Sequence, residues 1–449
     1  MRDAFRRIPR LSARCLYMIA LVVMLMLYDF SYQVFRPSMI ILLFPLGYGL
    51  SWAAVQSYKG KLGLRNALIL IAAGFFVAGA LKSGDTSGYS LYFLGGCVVS
   101  MVGVGIVPEH TDAKTLHKEL LAFAWAMIIL MLPVMVTSLL SVFWGQPFKL
   151  GYGVMGLERA GKVQSRLHIV AHPNIGGRRA EMCVLFAIYA LYYSKKRWQR
   201  VLLWFTMIVS VMVVAHSQTR SCTLTLSMIF GALVFRWIYL RMQEKKGRLP
   251  AALAGAAATA VLTVLALEIV YRIDVFIALR TMPALAHAEE IGASRVITRG
   301  LFDVSGSGRN PIWGISLRYL RAHPSYLFVG MGSGDITTTM GKEFANAAKF
   351  PHLHNSFLEI LVRGGLPMLL CSVALLVLLV RPCYRMLIAR ETDGDKGAYI
   401  LPIMIGTMLA MTVTETMLFV RPTVINVIFF LAVGRVVYAA RHKTIGQPQ

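Results

Sequence analysis

The fourteen residues from His352 to Gly365, HLHNSFLEILVRGG, bring two histidines, an asparagine, a serine, a glutamate and an arginine into one segment. His354 can act as a general base, because an imidazole titrates close to physiological pH. His352, two residues earlier, is the substitute for that role. Asn355 or Ser356 suits the cap of a helix beginning at this point. Glu359 and Arg363 are four apart and can pair on one helix face. The plain alternative is an interfacial helix cap that happens to contain a histidine.

Arginines supply the second kind of chemistry. Arg220 stands in His216–Ser221, where one apolar run ends and another begins almost without a loop. Arg178 and Arg179 follow Asn174 at the start of a further run, Arg159 lies in a basic stretch just before it, and Arg309 belongs to Gly308–Trp313. An arginine near an apolar span either snorkels to the interface or faces a polar cavity. Its planar fork keeps its charge and donates two parallel hydrogen bonds, which fits phosphate oxygens. Several arginines beside one histidine therefore point to a phosphorylated donor and a hydroxyl-bearing acceptor. Gly330, Gly332 and Gly334 are most simply a turn between loop helices. No carboxylate pair of glycosidase type stands out, and no CxxC or HExxH pattern argues for a metal ligand set, so neither metal nor cofactor is expected.

These residues must be positioned by a membrane. Of 449 residues, 57% are hydrophobic and only 15% charged, against about a quarter charged in a soluble domain. Six cysteines, all in or beside apolar runs, exclude a disulfide scaffold. A spanning helix needs about 20 apolar residues. Such runs occur near 15–34, 37–57, 66–83, 88–107, 119–142, 176–194, 200–218, 222–241, 250–271, 356–380, 398–418 and 423–440, which predicts twelve transmembrane helices in an all-α polytopic membrane protein.

The formal charge of +25 comes from 46 Lys and Arg against 21 Asp and Glu. The basic residues lie between apolar runs rather than in one soluble domain, which speaks against nucleic acid and for topology. With the N-terminus inside, clusters such as Lys59/Lys61/Arg65, Lys195/Lys196/Arg197/Arg200 and Arg381/Arg385/Arg390 are cytoplasmic, and so is the C-terminus. Three regions follow. Residues 1–271 hold spans one to nine with a short basic outer segment at 145–174. Residues 272–355 form a large outer loop containing helices. Residues 356–449 hold spans ten to twelve and a cytoplasmic tail. Arg178, Arg179, Arg220, Arg309 and His354 then share the outer face.

The His-Asn-x-x-Leu-Glu motif from His354 to Glu359 after a large outer loop resembles the bacterial O-antigen ligases and the related O-antigen polymerases. Thr219-Arg220-Ser221 at a helix junction, Pro173-Asn174 before a span, and Gly308-Arg309, Trp313, His323-Pro324 and Gly330–Gly334 in the loop reinforce it. The resemblance covers about 172–365. Gln218–Cys222 departs from the Ser-Arg-Gly often present in relatives, although the arginine is kept. The resemblance implies a GT-C-like, inverting, metal-independent glycosyltransferase of the bacterial inner membrane with its active site in the periplasm. Its donor would be a glycan on undecaprenyl pyrophosphate and its acceptor a sugar hydroxyl of lipid A–core oligosaccharide. His354 would be the general base, with Arg220 and Arg309 on pyrophosphate or acceptor phosphates. Arg159, Asn174, Arg178, Arg179, His352, Asn355 and Glu359 would bind substrate.

Three other readings compete, one of them a protein O-oligosaccharyltransferase, whose relatives are usually longer. A polymerase would use the same donor and add glycan to glycan; the broad basic face favours a phosphate-bearing acceptor and hence the ligase. A transporter of an anionic lipid would need charges at mid-membrane and repeated halves, and Asp29 is its one support in the early spans.

Overall fold

The computed structural model describes residues 11–30, 37–144, 148–150, 153–160, 164–168, 173–217, 219–281, 309–344, 352–392, 394–412, 415 and 418–442. Helices occur at all twelve apolar runs: α1 (Ala13–Phe30), α2 (Pro37–Ile41) with α3 (Phe44–Gln56), α4 (Leu64–Ser83), α5 (Gly88–Val98, continued by a π-helical stretch Val99–Val104), α6 (Ala113–Trp144), α7 (Pro173–Tyr193), α8 (Arg197–His216), α9 (Arg220–Lys246), α10 (Arg248–Thr281), α14 (Ser356–Ile388), α15 (Ile400–Thr412) and α16 (Val424–Arg441). The stretch between α10 and α14 contributes α11 (Arg309–Ala322), α12 (Tyr326–Val329) and α13 (Ile336–Gly341). Among the described residues, eight helices are long and apolar enough to cross a bilayer, while Gly88–Val104 and Ile400–Thr412 are shorter apolar helices. The chain is a multi-pass membrane protein.

The structure corrects the sequence-based expectation in three places. The fold is not purely helical: β1 (Phe148–Leu150), β2 (Gly153–Ala160) and β3 (Gln164–His168) form a three-stranded antiparallel sheet in the basic segment. Its register sets Glu158 opposite Arg166. Helix α10 runs on to Thr281 and α14 to Ile388, beyond the bilayer-length windows that hydropathy selects. Conversely, α15 stops at Thr412, so that Glu415 stands past the helix end rather than inside a span, where its charge would be costly.

Helix α16 is the central post, with nearly every side chain enclosed. Helix α10 is peripheral and leaves Leu253, Val261, Val264 and Leu265 exposed, as suits a helix facing lipid tails. Helix α14 is bent at Gly365, whose φ of +76° and ψ of 179° break the helix just before Pro367. That bend organises the site described next.

Candidate active site

Asn355 caps α14 with its side-chain oxygen accepting from the Leu358 N–H at 3.0 Å, which satisfies one of the helix's open amides. His354 immediately before it has φ +53°, a left-handed conformation that costs a residue with a Cβ about 1–2 kcal/mol. Neighbouring bonds impose it. The Trp313 indole of α11 donates to the Leu353 carbonyl at 2.9 Å, and the Leu353 N–H donates to Glu359 at 3.2 Å. Leu353 is thereby buried in a small core with Ile312, Ile315 and Met340, and the two histidines on either side of it come together with ring centroids 3.9 Å apart.

The histidine cluster meets two groups from other helices. His354 Nδ1 stands 3.4 Å from Glu415 Oε2, and Arg178 of α7 stands 3.2 Å from Oε1 of the same carboxylate. Glu415 is 4% exposed and Arg178 3%, so this is a largely desolvated array in which each charge has a counter-ion. The Ser356 hydroxyl donates to the Glu415 carbonyl at 2.9 Å and ties the link after α15 to the first turn of α14. Burial alone would raise the Glu415 carboxyl. The bond from His354 and the charge of Arg178 outweigh it and hold the group below the usual carboxylate range. Burial, followed by the charges of Arg421 and His354, lowers His352 from 6.5 to about 2. His352 is therefore a neutral ring, and its Nδ1 accepts from the His354 N–H at 3.2 Å.

Beneath this layer, Glu359 and Arg363 pair at 2.9 Å, as their spacing predicts, but both are buried. Glu359, expected to touch substrate, is instead engaged with Arg363 and the Leu353 amide; it positions the histidine segment. Arg363 reaches the carbonyls of Gly332 and Gly334 at 3.1 and 2.9 Å and packs over the Phe93 ring. The glycine segment is thus a strap docked on the bend of α14. Pro367 has no N–H to offer the Arg363 carbonyl four residues earlier, and the Gly332 N–H takes that place at 2.9 Å; the Met331 N–H does the same for Val362 at 2.8 Å. Gly332 has φ +76°, and a Cβ there would lie 2.5 Å from the Gly79 carbonyl of α4, so only glycine fits.

The arginine pair divides. Arg178 joins the Glu415 cluster, whereas Arg179 is bound to Asp29 of α1. Asp29 thereby finds a structural partner rather than a lone place at mid-membrane. Arg220 is the first residue of α9 and Arg309 the first of α11, so both stand at helix N-termini, where backbone amides also attract anions. Gly177 presses α7 against the α8–α9 junction: a Cβ on it would meet Ser217 Oγ and Cys222 Sγ at 3.0 Å. Arg178 and the start of α9 are accordingly neighbours. Arg159 lies on β2 opposite Ser165 and Asn174 in the first turn of α7; the side chains of Arg159, Asn174, Arg220 and Arg309 fall outside the described ones.

His352, His354 and Glu415 each offer one donor atom within 4.8 Å of the others, a spacing a divalent ion could bridge. Arg178 already neutralises that carboxylate, and Arg421 adds a second positive charge near His352. This field opposes a cation and favours an anion.

Sequence reasoning missed Glu415 and Arg421. The available signal was an acidic residue inside the otherwise uncharged run 398–418, since a buried carboxylate in an apolar run demands a partner.

No curated protein matches the chain. Residues 205–373, a stretch that includes Arg220, Arg309, His354 and the Glu359–Arg363 pair, match the family model described as O-antigen ligase.

Proposed function

We propose that the protein is an O-antigen ligase of the bacterial inner membrane. It transfers polysaccharide from undecaprenyl pyrophosphate to a sugar hydroxyl of lipid A–core oligosaccharide on the periplasmic side, in lipopolysaccharide biosynthesis. The observation that carries this reading is the His354–Glu415–Arg178 array at the mouth of α14. With Nδ1 turned to Glu415, the second ring nitrogen of His354 is the one left to receive a proton from the acceptor hydroxyl. The acceptor oxygen attacks the anomeric carbon, the bond to the pyrophosphate breaks, and the anomeric centre inverts. Arg220 and Arg309, each at a helix N-terminus, hold the pyrophosphate and neutralise the charge that develops on it. Arg159, Asn174 and His352 extend the polar surface toward the substrates, and Arg179 of α7, paired with Asp29 of α1, supports it.

The same reading takes the fold as GT-C-like with twelve spans, both termini cytoplasmic, and the segments 145–174 and 272–355 periplasmic. No nucleotide sugar, metal ion or other cofactor is required, because an isoprenoid pyrophosphate is a good leaving group once its charge is met. The membrane supplies both substrates along their lipid tails, and nucleic acid has no part.

The test is transfer by the purified full-length protein in nanodiscs, with polysaccharide on its lipid carrier and lipid A–core as acceptor. A product on lipid A–core that His354→Ala abolishes supports the reading. Elongation of lipid-linked glycan without transfer to lipid A–core would identify a polymerase instead.

A further inference from the structure

At the end of the helices opposite His354, a cavity of about 220 Å³ opens between the first turn of α4, the lower half of α14 and the last turns of α16. Leu64, Leu378 and Val437 make it apolar on one side, while Arg65, Asn66 and Arg441 make it polar on the other. The basic loops assign this end to the cytoplasmic leaflet.

Three observations specify what fits there. The first is a positive charge, Arg65, held by a neutral anchor, with a second arginine beside it. Pro382 cannot donate to the Leu378 carbonyl four residues before it, and Arg65 Nε fills that vacancy at 3.2 Å. Because its anchor is an uncharged carbonyl, Arg65 retains its full charge at the cavity. Arg441 pairs with Glu109 at 3.0 Å and donates to the Lys61 carbonyl at 2.8 Å. Its Nη1 lies against Gly63, where a Cβ would approach to 3.0 Å.

The second observation is the open helix end. Gly63 caps α4 without a side-chain hydrogen bond, so first-turn amides are available to an acceptor. The third is Asn66, which lines the cavity and is only 2% exposed, with a buried Oδ1 that has no hydrogen-bond partner. A buried acceptor of this kind costs free energy until a donor meets it. The cavity therefore asks for an anion and, beside it, a hydrogen-bond donor.

We propose that this cavity seats the headgroup of a cytoplasmic-leaflet phospholipid of the phosphatidylglycerol type. The phosphodiester lies against Arg65, Arg441 and the α4 amides. A headgroup hydroxyl donates to Asn66 Oδ1, and the acyl chains follow Leu64 and Leu378 into the bilayer. An ethanolamine headgroup also offers donors but would bring an ammonium beside the uncompensated Arg65. A headgroup without a hydroxyl would leave Asn66 unmet. The site is remote from His354 and does not depend on the transfer reaction proposed above.

The experiment places the full-length protein in nanodiscs of equimolar phosphatidylglycerol, phosphatidylethanolamine and phosphatidylmethanol with matched acyl chains. The protein is then extracted into mild detergent, and the lipid that stays with it is quantified by mass spectrometry. Phosphatidylglycerol should be retained about 2- to 10-fold over phosphatidylmethanol, the yield of one hydrogen bond, and both should exceed phosphatidylethanolamine. Asn66→Leu removes the orphan acceptor at similar volume, so the fold survives. It should level phosphatidylglycerol with phosphatidylmethanol while both still exceed phosphatidylethanolamine. Arg65→Ala combined with Arg441→Ala should erase the anionic preference. Equal retention of the three lipids by the unaltered protein would overturn the proposal, as would an Asn66→Leu variant that still favours phosphatidylglycerol over phosphatidylmethanol. Should the double arginine variant fail to elute as a monodisperse protein, the Asn66→Leu comparison decides.

Discussion

His354 and Glu415 face each other at 3.4 Å across the gap between α14 and the link that follows α15, with Arg178 on the far side of the carboxylate. The pair has the geometry of an imidazole oriented by a carboxylate, in which the acid fixes the tautomer and the base acts through its other nitrogen. If His354 removes the acceptor proton, Glu415→Gln should lower kcat by about 10²- to 10⁴-fold, the range of general-base assistance. Donor affinity should stay within a few-fold. A Glu415→Gln enzyme with an unchanged rate would make the contact structural only.

The two helix-opening arginines should separate charge from geometry. Arg220→Ala and Arg309→Ala should each reduce donor binding or transfer by about 10- to 150-fold, corresponding to roughly 1.5–3 kcal/mol for a charge-assisted hydrogen bond. Lys at either position should rescue only part of the loss, since it keeps the charge without the fork. Binding and single-turnover transfer measured separately would assign each arginine to donor or acceptor. Normal values for both Ala variants would leave them as interface anchors.

Transfer should persist in excess EDTA. The cationic surroundings of the His352–His354–Glu415 cluster underlie this expectation. A loss restored by adding back magnesium, manganese or zinc would reverse it and make those three side chains a metal site.

His352 should make the folded protein acid-sensitive. Its folded value is depressed to about 2 from 6.5, so the unfolded chain binds the extra proton first. Stability contributed by the neutral ring is present above pH 6.5 and declines as pH falls toward 2, by at most about 1.4 kcal/mol per pH unit for one proton. Glu415, also depressed, acts in the same direction at lower pH. Thermal unfolding midpoints between pH 6.5 and 4.5 should therefore fall for the unaltered protein. They should fall less for His352→Asn, whose side-chain oxygen can still accept from the His354 amide. Parallel slopes for the two proteins would contradict the assignment.

Much of this was legible locally. Apolar runs placed the helices, Asn355 announced the cap of α14, and the four-residue spacing of Glu359 and Arg363 foretold their ion pair. What escaped was set by contacts between distant segments. Arg178 and Arg179 look equivalent in sequence, yet one residue turns a helix by about 100°, which sends one to Glu415 and the other to Asp29. Glu415 was hidden in an apolar run because hydropathy averages over a window and cannot register that the helix ends at Thr412. The glycines at 330–334 looked like an ordinary turn, since neither the bend at Gly365 nor the donor missing at Pro367 can be assigned to them until α14 lies alongside.

The strap also dictates an order of assembly during synthesis. Its docking sites are the carbonyls of Val362 and Arg363 and the backbone near Gly79. The chain emerges with α4 first, the strap much later, and α14 last. Until α14 has entered the membrane beside α4, the strap has no carbonyls to bind, and the histidine segment has no Glu359–Arg363 pair beneath it. The segment 309–344 therefore completes its packing only after the span that follows it is in place. A ribosome stalled before residue 367 would leave behind helices already inserted in the bilayer, with the His354–Glu415 cluster unformed.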